Sequence, residues 1–255
     1  MKFKTIFITG ASAGIGEACA EVFAEAGARL ILLARRRDKL INLSTNLLKK
    51  YGTESFSIEC DVRNFKTVEK VITSLPDEWK NVDVLINNAG LARGIEKIQD
   101  GVLENWEEMI DTNIKGLLYI TRLILPEMIK RGEGHIVNIA SLAGRYVYPG
   151  GNVYCASKFA VKALSEGMLI DLNGTGIKVT NIDPGLVETE FSEVRFRGDK
   201  ERAKKIYEGY TPLTGRDIAE IVLFAVNRPK HVMIQDILIT PTDQVNPYIL
   251  NKKSS

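Results

Sequence analysis

Apolar runs of four to seven residues recur along this chain, separated by longer stretches of helical periodicity. The runs are Phe3–Thr9, Leu30–Leu33, Ser55–Ile58, Val82–Ile86, Ile136–Ile139, Val179–Ile182 and Met233–Ile239. Most are continuously apolar rather than alternating, as strands are when helices cover both faces of a sheet. Helices are expected over Ile15–Ala26, closed by Gly27, and over Asp38–Lys50, Thr67–Leu75, Glu104–Thr112, Ile114–Arg131, Val153–Leu172 and Ile218–Val226. Pro126 is expected to kink the long Ile114–Arg131 helix or end it early. Strand and helix in alternation imply an α/β fold: a Rossmann-like, doubly wound, mostly parallel sheet with helices on both faces. No Pro/Gly-rich linker divides the 255 residues, so residues 1–255 read as a single domain. Leu186–Tyr210 is the least regular stretch, charged and aromatic. Ligands of open α/β sheets bind beyond the carboxyl ends of the strands, and a lid within 186–210 is expected there.

The first strand runs into Thr9-Gly10-Ala11-Ser12-Ala13-Gly14-Ile15-Gly16, which opens the first helix. Glycines at such a turn let the backbone approach a diphosphate, which rests on the helix N-terminus. The spacing is Gly-x-x-x-Gly-x-Gly rather than the common Gly-x-Gly-x-x-Gly, and a plain strand-to-helix turn is the rival reading. The second strand ends Leu33-Ala34-Arg35-Arg36-Arg37, and Arg35 stands nineteen residues beyond Gly16. A carboxylate at that place suits NAD, whereas an arginine suits the 2′-phosphate of NADP. Guanidinium groups grip phosphate through paired hydrogen bonds, so Arg35, supported by Arg36, points to NADP.

Tyr154 and Lys158 lie four residues apart, one helical turn, with Ser141 thirteen residues upstream of the tyrosine. A phenol is a poor base near neutrality, and a neighbouring ammonium favours the phenolate. Such a pair can exchange a proton with an alcohol or a carbonyl. On its own the spacing is common on ordinary solvated helices.

Taken in order, these residues resemble the short-chain dehydrogenase/reductase family over nearly the whole chain. Thr9–Gly16 matches its glycine motif, with Gly10, Ser12, Ala13, Gly14, Ile15 and Gly16 against the cofactor. Asp61-Val62 matches the adenine-contacting pair, and Asn87-Asn88-Ala89-Gly90 the motif after the fourth strand. The resemblance implies that Asn87 packs that central loop against the cofactor, with Ala89 and Gly90 beside it. Pro184-Gly185, Val187 and Thr189 match the segment bounding the nicotinamide. Asn113, Ser141, Tyr154 and Lys158 match the catalytic tetrad. The resemblance implies that Tyr154 exchanges the proton and that Lys158 lowers its pKa and holds the nicotinamide ribose. Ser141 binds the substrate oxygen, and Asn113 holds a water linking Lys158 to solvent. In isolation, Ser141 and Asn113 read equally as helix caps.

Tyr148–Tyr154, Pro184–Ser192 and Val194–Asp199 are similar to one subgroup: NADP-dependent dehydrogenases of serine, allo-threonine and other 3-hydroxy acids, commonly homotetramers. Their substrate is a small hydroxy acid or its oxo form. A hydroxy acid needs a cation for its carboxylate, and Arg145, Arg195 and Arg197 are the candidates. A reductase of larger carbonyl compounds (3-oxoacyl, sugar or steroid) stays open as an alternative, as does a non-enzymatic NADP-binding regulator. The net charge of +2 argues against nucleic acid or an anionic membrane as partner. The N-terminal apolar run is too short for a signal peptide and reads as a buried strand. His135 and His231 lack metal-ligand spacing, so no metal is expected. The three cysteines form no C-x-x-C pair and read as reduced thiols of a cytoplasmic protein. Cys155, beside Tyr154, reads as a buried structural thiol.

Overall fold

The computed structural model describes residues 4–252. Phe3, which the sequence assigns to the first strand, lies outside them. The chain runs β1 (Thr5–Thr9), α1 (Gly14–Glu25), β2 (Arg29–Ala34), α2 (Arg37–Tyr51), β3 (Ser55–Glu59), α3 (Phe65–Thr73), α4 (Asp77–Lys80) and β4 (Val84–Asn87). It continues through α5 (Leu103–Ile110), α6 (Leu117–Arg131), β5 (Gly134–Ile139), α7 (Asn152–Asp171), β6 (Ile177–Pro184), β7 (Val187–Glu188), α8 (Phe191–Arg195), α9 (Lys200–Lys205), β8 (Leu213–Thr214), α10 (Gly215–Val226) and β9 (Asp236–Ile239). Seven strands form one parallel sheet in the order β3-β2-β1-β4-β5-β6-β9, and β7 pairs with β8 as a parallel two-stranded ribbon. The direction of winding reverses between β1 and β4, which opens a crevice at their carboxyl ends.

Alternation along each strand splits the core into two layers. Ile6, Ile8, Leu30, Leu32, Val84, Ile86 and Val137 face α1, α2 and α10, where Phe23, Leu40 and Val222 pack. Phe7, Ile31, Leu33, Leu85, Ile136 and Val179 face the other way, onto Val68, Ile120, Ile124 and Leu172. Every residue of β1 is buried, which is why no polar alternation is visible in that strand.

Most element boundaries fall within two or three residues of those expected. The larger differences have physical causes. The expected helices 104–112 and 114–131 are one continuous rod, joined through a π turn at Asp111–Gly116. Asn113 therefore sits inside a turn of helix and does not cap one. Pro126 does not end α6, which continues to Arg131. The proline withdraws one backbone donor, but Ile120, Ile124 and Met128 are all buried in one cluster and hold the helix on the sheet. The last strand begins at Asp236 rather than Met233. Within 186–210 the chain is not structureless, because β7, α8 and α9 lie there.

Candidate active site

The carboxyl ends of the central strands open on a cleft of about 490 Å³. At its centre β1 turns into α1. Gly10 has φ +66°, and a Cβ there would stand 2.9 Å from the Ala89 Cα. A Cβ on Gly16 would stand 2.3 Å from the Gly10 carbonyl oxygen, so only glycine lets α1 start this close beneath the loop. Thr9 Oγ1 accepts from the main-chain N–H of Asn88 (3.0 Å) and Ala89 (2.9 Å), and Asn88 Nδ2 donates to Thr9 O (2.9 Å). Ala13, the N-cap of α1, offers no side-chain cap, so the first N–H groups of the helix are free for an anion. This cradle fits the diphosphate of a dinucleotide.

Gly10, Ser12, Ala13, Gly14 and Ile15 line the cleft on one side. Arg35, Arg36, Asp61, Val62, Ala89 and Gly90 line it next, and Pro184, Gly185, Val187 and Thr189 face them. Arg36 donates from Nε to Ser12 Oγ (3.2 Å) and from Nη1 to Glu190 (2.7 Å), and Lys39 meets the same carboxylate. Arg35 is half exposed, 3.9 Å from Glu108. The Asp61 carboxylate is gripped by Arg63. Burial pushes its pKa up, but the Arg63 fork outweighs that and leaves it below the usual carboxylate range.

At the other end stand Ser141, Tyr154 and Lys158. The tyrosine and lysine occupy successive turns of α7, both buried. Ser141 follows β5, and its Oγ accepts from Ala143 N (3.1 Å), capping a 3₁₀ turn at Leu142–Gly144. That bond leaves the serine proton free to be donated into the cleft. Lys158 Nζ donates to Ile139 O (2.9 Å). Burial lowers its pKa to about 8, against the opposing charge of Asp183. Burial also pushes the Tyr154 phenol up, and the Tyr148 phenol adds to that; Arg195 and the Ser141 hydroxyl pull it down.

Five expected site residues do not line the cleft. Gly16 lies beneath the glycine loop. Asn87 is buried and ties β4 to α6 and β5, donating to Thr121 Oγ1 and Asn138 Oδ1 (both 2.9 Å). The packing of the central loop expected of it falls to Asn88. Asn113 spends its side chain on the main chain of Leu91 (2.8 and 2.9 Å) and on Ser157 Oγ (2.9 Å), so its amide is not a free water-holder. Arg145 is neutralised by Asp183, at 2.6 Å, and by Asp236, and it is unavailable to clamp a substrate. Arg197 points to Asn105, away from the cleft. Of the three candidate arginines, Arg195 alone reaches the lining. Asn88, Tyr148, Phe191 and Tyr207 also line the cleft, though none is singled out individually by the sequence. Asn88 and Tyr148 fall within matched segments, and Phe191 and Tyr207 fall within the 186–210 stretch expected to cover the site. Cys155 is fully buried within the Tyr154 cluster, as expected.

The arrangement can hold an extended anionic dinucleotide and exchange a proton at its far end. The family described as short chain dehydrogenase matches residues 4–200. The NADP-dependent 3-hydroxy acid dehydrogenase of Salmonella typhi is 47% identical over 240 residues, covering 94% of this chain and 95% of that protein. Its counterpart in Schizosaccharomyces pombe is 44% identical over 242 residues, covering 94% and 93%. Among solved structures, the closed form of a serine dehydrogenase complexed with NADP+ superposes with a TM-score of 0.91 at 42% identity, covering 98% of this chain and 100% of that one. Sequence, sheet order and cleft agree, and the chain belongs to the short-chain dehydrogenase family.

Proposed function

We propose that this chain is an NADP-dependent oxidoreductase that transfers a hydride between NADP(H) and a small 3-hydroxy acid or its oxo form. The observation that carries the reading is the single cleft with Arg35 and Arg36 at one end and Ser141, Tyr154 and Lys158 at the other. The relatives named above act on 3-hydroxy acids with NADP, which supports the same substrate class here. Arg35 and Arg36 would hold the 2′-phosphate, the Gly10–Ile15 turn the diphosphate, and Lys158 the nicotinamide ribose. The cofactor supplies the hydride acceptor or donor.

The protein's part is to hold the reacting carbon in place and move one proton. Tyr154 takes the proton from the hydroxyl on oxidation and returns it on reduction. Ser141 donates to the substrate oxygen and stabilises charge that develops on it. Lys158, as an ammonium, keeps positive charge one helical turn behind the phenol. Asn113 is a positioning residue that clamps Leu91 beside the cleft. A water linking Lys158 to solvent would rest on the main chain of the π turn, which lacks the regular i+4 donors.

The larger-carbonyl alternative is disfavoured by Phe191 and Arg195, which pack against the Tyr154 ring, and by Tyr148, which is bonded to Arg195. A regulator without activity would have no use for a complete tetrad. The 186–210 segment acts as the lid of a single domain, and the chain assembles as a homotetramer. Its buried, unpaired cysteines suit the cytoplasm. Among the described residues, no helix is long and apolar enough to cross a membrane, and no group of side chains is arranged to hold a metal. An NADP(H) absorbance assay over L-serine, allo-threonine, 3-hydroxypropionate, malonic semialdehyde and bulky ketones tests the reading. Turnover of the small acids with NADP is expected. A preference for NAD, or for the bulky ketones, overturns it.

A further inference from the structure

We infer that Arg195 binds the substrate carboxylate and that Tyr148 positions its guanidinium; the inference rests on the oxidoreductase reading and identifies what makes the substrate an acid. Four cations line the cleft: Arg35, Arg36, Lys158 and Arg195. Glu108 faces the first and Glu190 the second, both at the β2 end. Lys158 donates to Ile139 O and is assigned above to the nicotinamide ribose. Arg195 stands apart from them. Among the described residues no carboxylate lies within ion-pair distance of it, and its buried Nε has no hydrogen-bond partner. Its one side-chain bond runs from Nη2 to Tyr148 Oη, at 2.7 Å.

The surroundings of this guanidinium are aromatic. Its Cζ lies 5.0 Å from the centre of the Tyr154 ring, 5.5 Å from Phe191 and 5.9 Å from Tyr148. Rings stabilise the cation and hold its plane without neutralising it. A buried donor with no acceptor is costly, and a carboxylate supplies the missing acceptor together with the missing charge. The location fits the chemistry. In a 3-hydroxy acid a single carbon separates the carbinol carbon from the carboxylate. An acid anchored on Arg195 therefore keeps its hydroxyl close to Tyr154, whose ring the guanidinium overlies. The neighbouring arginines cannot take this part. Arg93 is committed to Glu108 and Arg145 to two aspartates. The main-chain bond that holds the end of α8, from Gly94 N to Arg195 O (3.1 Å), does not involve the Arg195 side chain. A substitution at this position can therefore leave the lid in place.

The test compares 3-hydroxypropionate with its uncharged methyl ester in the wild-type enzyme and in Arg195→Leu, Arg195→Lys and Tyr148→Phe. Wild type is expected to prefer the acid. Arg195→Leu should lower the acid-to-ester ratio of kcat/KM by about 100-fold, the scale of a lost charge-assisted bidentate contact. The loss should fall mainly on KM for the acid. Arg195→Lys should recover part of the ratio, and Tyr148→Phe should lower it by a smaller factor. Calorimetric titration of the NADP complex with propionate, which has the carboxylate and no hydroxyl, gives a readout independent of turnover. Its Kd should rise by a similar factor in Arg195→Leu. Equal losses on acid and ester, or an unchanged propionate Kd, overturn the assignment. A wild-type enzyme that handles the ester as well as the acid overturns it too, while leaving the oxidoreductase reading intact. Wild-type enzyme that oxidises neither compound with NADP sinks that reading instead, and the propionate titration still decides the role of Arg195.

Discussion

At the residue scale, the proposed mechanism makes the phenol of Tyr154 the group that should set the pH behaviour. Burial raises its pKa, so the neutral phenol dominates near neutrality. Oxidation needs the phenolate, and its kcat/KM should therefore rise with pH; reduction uses the phenol and should fall only as the phenol ionises. Ser141 pulls this pKa down. Ser141→Ala should accordingly move the rising limb of the oxidation profile to higher pH, with about a 100-fold loss in kcat, as for removal of one oxyanion donor. Tyr154→Phe should abolish turnover while NADPH fluorescence still reports binding. Near-normal turnover in that variant would contradict the assigned proton path. A second titration lies far from the cleft. Thr180 Oγ1 donates to Ile234 O (2.6 Å), so it must accept from His135 Nε2 (2.8 Å). Nδ1 is left bare, buried and without a partner. Burial, with Lys178 and Lys4 nearby, lowers the pKa of this imidazole to about 3 from an ordinary 6.5. Between those values the unfolded chain binds a proton that the folded chain refuses. Stability therefore falls as pH drops through that window, by at most about 1.4 kcal/mol per pH unit from this residue. His135→Gln should flatten the fall of Tm between pH 6.5 and 4, and an unchanged slope would remove this account.

The element scale adds the segment after β6. Its α8 is pinned at three places: Glu190 to Arg36 and Lys39, Gly94 N to Arg195 O, and Arg93 to Val194 O. The first of these occupies the arginine proposed for the 2′-phosphate. A phosphate arriving at Arg36 meets a carboxylate already there, and the two compete. The pair is half exposed, so the competition is worth up to about 1 kcal/mol. Glu190→Gln should tighten NADPH binding by up to about five-fold at low salt, with the gain shrinking as salt screens the pair. Fluorescence titration of the two proteins checks this, and weaker binding in the variant would refute it. The rod from α5 to α6 also belongs to this scale. A break between two helices is the natural reading of its sequence, since Asn113 resembles a cap. What keeps the rod continuous is the burial of Thr112, Asn113 and Gly116 against the neighbouring strand loops and α7, which no local pattern announces.

For the whole molecule, several of the exposed apolar side chains fall on two faces. Ile110, Leu118, Phe159 and Ile170 lie on α5, α6 and α7, and Phe224 and Leu238 lie on α10 and the edge strand β9. Exposed apolar faces of this kind support the proposed assembly with further copies of the chain. The proposed tetramer should appear in light scattering at roughly four times the 28.4 kDa chain mass. Phe159→Glu should lower that mass, and a monomer in the unmodified protein would dismiss the assembly.

By itself the sequence determined the strands, the winding, the glycine turn, the basic pair after β2 and the Tyr154–Lys158 spacing. Each is local, set by periodicity or by residues within a turn or two of one another. The tertiary structure alone decided which of the three candidate arginines lines the cleft beside Tyr154. Arg145 is closest in sequence to Ser141, yet it is claimed by Asp183 and Asp236, 38 and 91 residues further along. Arg195 and Arg197 are two residues apart in one segment, and Asn105, 92 residues from Arg197, takes the latter. The same holds for Asn87 and Asn88, whose opposite orientations send one into the sheet and the other to the glycine loop. A charge is available for binding only when nothing distant has already neutralised it, and that is a property of the folded chain.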